Sequence, residues 1–431
     1  MVSISPTSLK KPKPPRIPAF LRHVGPGVVT GAADDDPSGI ATYTQAGAQF
    51  GTGVLWTVFL SLPFMIAIQL VSARIGRQTG QGIAANLRQH APRWFLLLIV
   101  ALLVLANTIN IAADISAMGE ALQLVIGGGK HFYAVLFGML TVLLQIFVPY
   151  RRLAPVLKWL TLCLFVYVIA AFSVHIPWSD VAHDLVVPHL ERSSAYVMMI
   201  VAVLGTTISP YLFFWQASQE VEELRLAGIV PGKESDASLK RALRRVRLDT
   251  NVGMIFSNGI AFFIMLMGAV VLHTAGILDV QTSTQAALAL RPLAGEFAFA
   301  LFALGIIATG LLAVPVLASS AAYAVAEAFG WQEGLERHWR EAKGFYGVIA
   351  IATILGTGLD FTHIDPMKAL YWSAVINGVV SVPIMAAMML LATNQKVMGK
   401  LTVRRKTRFL GWCTVAVMTV AVAFMFKDFI K

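Results

Sequence analysis

Three adjacent carboxylates, Asp34-Asp35-Asp36, stand before Pro37-Ser38-Gly39 inside a stretch otherwise apolar enough to cross a membrane. A second apolar stretch is interrupted by Gly205-Thr206-Thr207-Ile208-Ser209-Pro210-Tyr211. A charge at the centre of a bilayer is expensive, so acids found there line a pathway or hold a cation. Proline removes an amide donor and clashes with the preceding turn, which breaks a helix. Irregular backbone at membrane depth survives only where it lines a cavity, and its unpaired carbonyls can then serve as cation ligands. Asp36 is therefore the leading cation-ligand candidate. Asp34 and Asp35 are candidates for the path, and Ser209 is a hydroxyl donor at the second break. Gly31, Gly39 and Gly205 are expected to tolerate the unwound backbone.

The elements that position these groups follow from composition. The chain has 431 residues, 57% hydrophobic and 13% charged, and its mean hydropathy is +0.71. A soluble protein carries about 25% charged residues. Eleven spans of bilayer length are predicted near 24–49, 53–73, 94–120, 131–149, 154–174, 194–219, 249–274, 294–327, 344–358, 366–392 and 408–427. With the N-terminus in the cytoplasm, 28 of the 34 Lys and Arg fall in the tail and the cytoplasmic loops, as the positive-inside rule requires. The net charge of +11 thus reflects topology beside anionic lipid, and no nucleic-acid partner is expected. The basic stretch Asp236–Arg247 reads as a helix on the membrane surface. Residues 1–22 form a basic, proline-rich tail without a cleavable signal, and 23–427 a single transmembrane domain. Cys163 and Cys413 lack metal-ligand spacing and read as core residues.

Spans one to five (about 24–174) and six to ten (about 194–392) superpose as two repeats of opposite orientation, with an extra helix near 408–427. The first helix of each repeat carries the break, at Asp36-Pro37 and at Ser209-Pro210. The predicted fold is therefore an all-α membrane protein of inverted five-helix repeats with helices 1 and 6 broken, LeuT-like. Paired broken helices point to a transporter's substrate site.

At this point the residues resemble a family. The run from Asp36 through Gln45-Ala46-Gly47-Ala48 to Gly51 is similar to the first-helix signature of the Nramp divalent-metal transporters, Asp-Pro-Gly-Asn followed by Gln-Ala-Gly-Ala. Leu204 to Tyr211 resembles the family's sixth-helix motif, which ends in Met-Pro-His. The resemblance implies a metal site of first-helix Asp and Asn, sixth-helix Met sulfur and backbone carbonyls. By position these are Asp36, Gly39, Ser209 and Thr206. A hard hydroxyl thus replaces the thioether, and two smaller side chains imply a wider cavity. Oxygen donors suit Mg2+ and Mn2+, and Mg2+ keeps several waters. The pattern looks like the Nramp-related magnesium transporters.

The resemblance also places the family's proton-path residues. Its third-helix Asp matches Asp114, its Glu falls on Asn107, and its two sixth-helix His fall on Tyr211 and Gln216. Its tenth-helix Gln falls on Ala374, with Asn377 a turn away. Asn107 cannot titrate, and neither break contains the histidine suited to proton exchange near neutral pH. Expected, then, is a secondary transporter bringing Mg2+ or Mn2+ into the cytoplasm without proton coupling, in a prokaryotic inner membrane. Its partners are the divalent ion and membrane lipid, with no resident cofactor and no obligate protein partner. The alternative is a proton-coupled Mn2+/Fe2+ symporter of the general Nramp type. No His-Glu-x-x-His or Gly-x-Ser-x-Gly signature speaks for an enzyme. An amino-acid carrier with the same repeats would have to accept a substrate carboxylate, which Asp34 to Asp36 repel.

Overall fold

The structure is a computed structural model that describes residues 26–148, 159, 161–231, 235–361, 365–399 and 402–429. The basic tail, the loop near 150–158 and part of the start of the fifth predicted span lie outside the described residues. Every regular element among the described residues is helical. The helices are α1 (Pro26–Asp34), α2 (Pro37–Phe50), α3 (Trp56–Thr79), α4 (Ile83–His90), α5 (Arg93–Ile126) and α6 (Lys130–Phe147). They continue with α7 (Phe165–Ala171), α8 (Trp178–Val186), α9 (Ser194–Thr207), α10 (Pro210–Ala227) and α11 (Asp236–Met267). The last are α12 (Ala298–Phe329), α13 (Lys343–Leu359), α14 (Pro366–Thr393) and α15 (Arg405–Phe429). Shorter helical pieces lie between some of them. Eight helical segments are long and apolar enough to cross a membrane, and two shorter apolar ones, Leu162–Ala171 and Lys343–Leu359, lie where spans five and nine are predicted.

Both predicted breaks are present and each is two residues wide. Asp35-Asp36 separates α1 from α2, and Ile208-Ser209 separates α9 from α10. Pro37 and Pro210 occupy the first turn of the second half-helix, where a missing amide is harmless. Asp36 caps α2 by accepting the Gly39 amide.

The glycines do something other than expected. Gly31, Gly39 and Gly205 lie within helices, and none has positive φ. They allow backbones to touch. A Cβ on Gly31 would stand 2.2 Å from the Gly253 carbonyl oxygen of α11, and one on Gly205 would stand 2.2 Å from the Ala374 oxygen of α14. Between helices in lipid, such close approach is a main source of packing energy. It fixes α1 on α11 and α9 on α14, while α10 lies along α3 and α5 along α12.

A second correction concerns residues 236–247. They are not a separate surface helix but the first turns of α11, which runs unbroken into the seventh span. No glycine or proline lies between Asp236 and Asn251 to stop it.

Gly31→Leu should lower the melting temperature in detergent, because overpacking against backbone costs about 1–3 kcal/mol or more. Gly259→Ala, where an added Cβ meets nothing within 4 Å, should leave it unchanged or raise it slightly. Equal melting temperatures for Gly31→Leu and the unsubstituted protein would remove the close-packing role.

Candidate metal-ion site at the paired helix breaks

The site is built where four helix ends meet. The α1 and α9 C-termini present carbonyls that lack helical amide partners and the negative ends of their dipoles, an arrangement that favours a cation. They converge on Gly39. The point where a Cβ would sit on Gly39 is 3.3 Å from Thr206 Oγ1 and 3.4 Å from the Asp34 carbonyl oxygen. The expected widening at Gly39 is therefore not found. Thr206 and Tyr43 close in on the space that a larger side chain would fill.

Asp36 is 2% exposed at this junction, and Asp34, Asp35 and Asp114 are fully buried. Asp36 Oδ1 accepts from the Gly39 amide and the Ser38 hydroxyl, both at 2.7 Å. Its Oδ2 accepts from Asn110 Nδ2 at 2.9 Å. The same Asn110 amide reaches Asp114 Oδ2 at 3.1 Å, and Asn377 Nδ2 donates to Asn110 Oδ1 at 3.0 Å. Three helices are thereby joined through one asparagine. Asn110 precedes Asp114 by four residues, so the two share one face of α5.

Asp34 and Asp35 point the other way, to α11. Ser257 Oγ lies 2.6 Å from Asp34 Oδ2 and 3.2 Å from Asp35 Oδ1. The second oxygen of each carboxylate, like Asp114 Oδ1 and Asn377 Oδ1, has no hydrogen-bond partner. Among the described residues, no Lys, Arg or His forms an ion pair with any of these four aspartates. Nor do three Asp, Glu, His or Cys side chains converge in a metal-holding group. The donor set is thus mixed: one central carboxylate with hydroxyls, amide oxygens and freed carbonyls.

Ser209 is 2% exposed, and its hydroxyl proton is directed at the carbonyls of Gly205 (2.9 Å) and Thr206 (2.8 Å). Each of those carbonyls keeps a second lone pair for an ion beside this bond, and the Ser209 oxygen keeps its own lone pairs. Tyr211 and Gln216 are not in the central cluster. The Tyr211 hydroxyl donates to the Ala33 carbonyl at 2.8 Å, and Gln216 Oε1 accepts from Thr30 at 2.7 Å, so both tie α10 to α1. Asn107 is turned to α12, where Nδ2 donates to the Leu317 carbonyl at 2.9 Å. Sequence reasoning assigned no role to Asn110 or Ser257. A signal for the first was its spacing from Asp114; Ser257 carried none.

The family model described as natural resistance-associated macrophage protein-like matches residues 27–427. The chain belongs to the Nramp family. A divalent metal cation transporter, MntH, of Klebsiella pneumoniae subsp. pneumoniae is 28% identical over 412 residues, covering 92% of each chain. A solved manganese transporter of Eremococcus coleocola aligns with a TM-score of 0.72 at 18% identity, over 95% of this chain and 87% of that one. The transporter Mhp1 in its inward-facing conformation aligns at 0.54 and 12% identity, over 93% and 90%. The predicted LeuT-like fold is thus present. This Nramp chain is a multi-pass transporter of divalent metal cations, not an enzyme.

Asn110→Ala should weaken divalent-cation binding about 10- to 100-fold, since hydrogen bonds to charged groups are worth about 1.5–3 kcal/mol. Titration calorimetry on purified protein reads this directly. An unchanged affinity would mean that Asn110 does not orient Asp36.

Proposed function

We propose that this transporter carries hard divalent cations, Mg2+ and/or Mn2+, into the cytoplasm without a coupled proton. The orientation is N-terminus inside, in a prokaryotic cytoplasmic membrane. The observation that carries the proposal is the junction at Gly39, where two helix C-termini meet beside a buried Asp36 that no basic side chain among the described residues neutralises. Asp36 is the central ligand. The Ser209 oxygen and the carbonyl ends of α1 and α9, Thr206 among them, complete an oxygen set directly or through water. Asp34, Asp35, Asp114 and Asn377 hold the surrounding charge and amide field. Oxygen donors without sulfur favour Mg2+ and Mn2+ over softer metals. The Eremococcus relative is a manganese transporter, which is consistent with Mn2+ as one cargo. Exposed large apolar side chains such as Phe59, Leu105, Met139, Ile354 and Phe424 suit contact with lipid.

Membrane potential is enough to drive entry. Moving two charges through about 100 mV supplies roughly 4.6 kcal/mol. That corresponds to more than a thousandfold accumulation, at about 1.4 kcal/mol per factor of ten. Asn107 cannot titrate, and the hydrogen bonds of Tyr211 and Gln216 serve to hold α1. The second reading is a proton-coupled symporter. Asp114, linked to Asp36 through Asn110, favours it, because that carboxylate remains able to carry a proton.

Asp36→Ala should abolish Mg2+ and Mn2+ uptake into proteoliposomes while the protein stays folded; near-normal flux would refute the ligand assignment. Ser209→Met should raise the preference for Mn2+ or Cd2+ over Mg2+ several-fold in competition assays. An unaltered ratio would mean that Ser209 does not face the ion. A trapped pH dye decides the coupling. Ion influx without lumenal acidification is expected. Acidification that depends on the ion and disappears in Asp114→Asn would overturn the uncoupled reading.

A further inference from the structure

Below the breaks, α1 and α10 run side by side toward the same membrane face, and their facing side chains form a polar line. After Tyr211 on Ala33 comes Gln216 on Thr30, and Gln216 Nε2 in turn donates to Glu220 Oε1 at 3.3 Å. Glu220 lies ten residues beyond Pro210, about 15 Å along the helix at 1.5 Å per residue. That is half the roughly 30 Å hydrocarbon thickness. It is 1% exposed, and among the described residues its Oε2 accepts no hydrogen bond and pairs with Arg77, at 3.8 Å. Beside it is a cavity of about 130 Å3, lined by Pro26, Arg77, Glu220, Glu223, Arg245 and Asp249, among others. Asp249 Oδ2 accepts the Gly27 amide at 2.6 Å, which pins the start of α1 over this space.

We infer that Glu220 is a second, transient cation ligand, through which the divalent ion leaves the site at the breaks for the cytoplasm. The inference rests on the orientation proposed above. A buried carboxyl oxygen with no donor, next to a cavity and at the end of the polar line that begins with Tyr211 just past the second break, offers an ion a place to stop after leaving its central ligand. Arg77 limits the stay. The ion must displace the guanidinium from Glu220, and the guanidinium returns when the ion moves on. Sites in a conduction path need to bind well enough to admit an ion and weakly enough to release it.

The bland alternative is that Glu220 only balances Arg77. Proteoliposomes carrying Glu220→Gln, Arg77→Gln and the double variant separate the two, with Mn2+ flux measured from each face. For a relay, Glu220→Gln should lower the maximal rate tenfold or more while Mn2+ affinity at the central site, by calorimetry, stays within twofold. Arg77→Gln should lower the KM measured from the cytoplasmic face. The double variant, balanced in charge, should remain slow. Recovery of the rate in the double variant, or a Glu220→Gln rate within twofold of the unsubstituted protein, would overturn the inference. Should Glu220→Gln fail to fold, the rate of the double variant decides alone. Absence of Mn2+ flux in the unsubstituted protein would sink the transport reading itself, and the relay with it.

Discussion

Four buried aspartates, with no basic partner bonded to them among the described residues, set the terms for everything around them. An isolated carboxylate removed from water is destabilising by many kcal/mol unless its charge is balanced or heavily hydrogen-bonded. A protein holding Asp34, Asp35, Asp36 and Asp114 together must supply donors and leave room for a positive charge. Breaking α1/α2 and α9/α10 at this depth does both. It exposes amides that Asp36 accepts, and it turns helix C-terminal carbonyls toward the same point.

The rest of the fold holds the half-helices in place. Gly31 against Gly253 and Gly205 against Ala374 let backbones approach closely, so each broken segment is fixed by a continuous neighbour. Asn110 and Ser257 divide the carboxylates between two partners. Asn110 on α5 takes Asp36 and Asp114, and Ser257 on α11 takes Asp34 and Asp35. A transporter needs elements that move against elements that do not, and polar links of this kind are weak enough to exchange. The Asp249, Gln216 and Tyr211 bonds to α1 have the same character.

The segments beyond the helix ends extend the same chemistry outside the spans. Glu333, beyond the end of α12, is pushed above the usual carboxylate range by burial, with Arg225 pulling it back through an ion pair of 3.1 Å. On the opposite face, Asp184 is held below that range, first by the hydrogen bond from Thr52, the residue two past the end of α2. Charges near both ends of the broken helices are thus bonded to the segments that would shift.

The sequence by itself determined the class, the order of spans and the two breaks. Those depend on local rules: apolar runs of bilayer length, proline removing an amide, and charge that lipid will not accept. It also singled out Asp36 and Ser209, because each adjoins its proline. Tertiary structure alone decided what those residues touch. Glycines that read as hinges became contact points, since only the packed helices show which backbone lies 2.2 Å from a missing Cβ. The widening implied by small residues at 39 and 209 was not realised at Gly39, because Thr206 comes from the other repeat to fill it. Asn110 and Ser257 gained their roles from partners 74 and 223 residues away. No local pattern encodes such separations; they follow from how the two repeats pack around one buried charge.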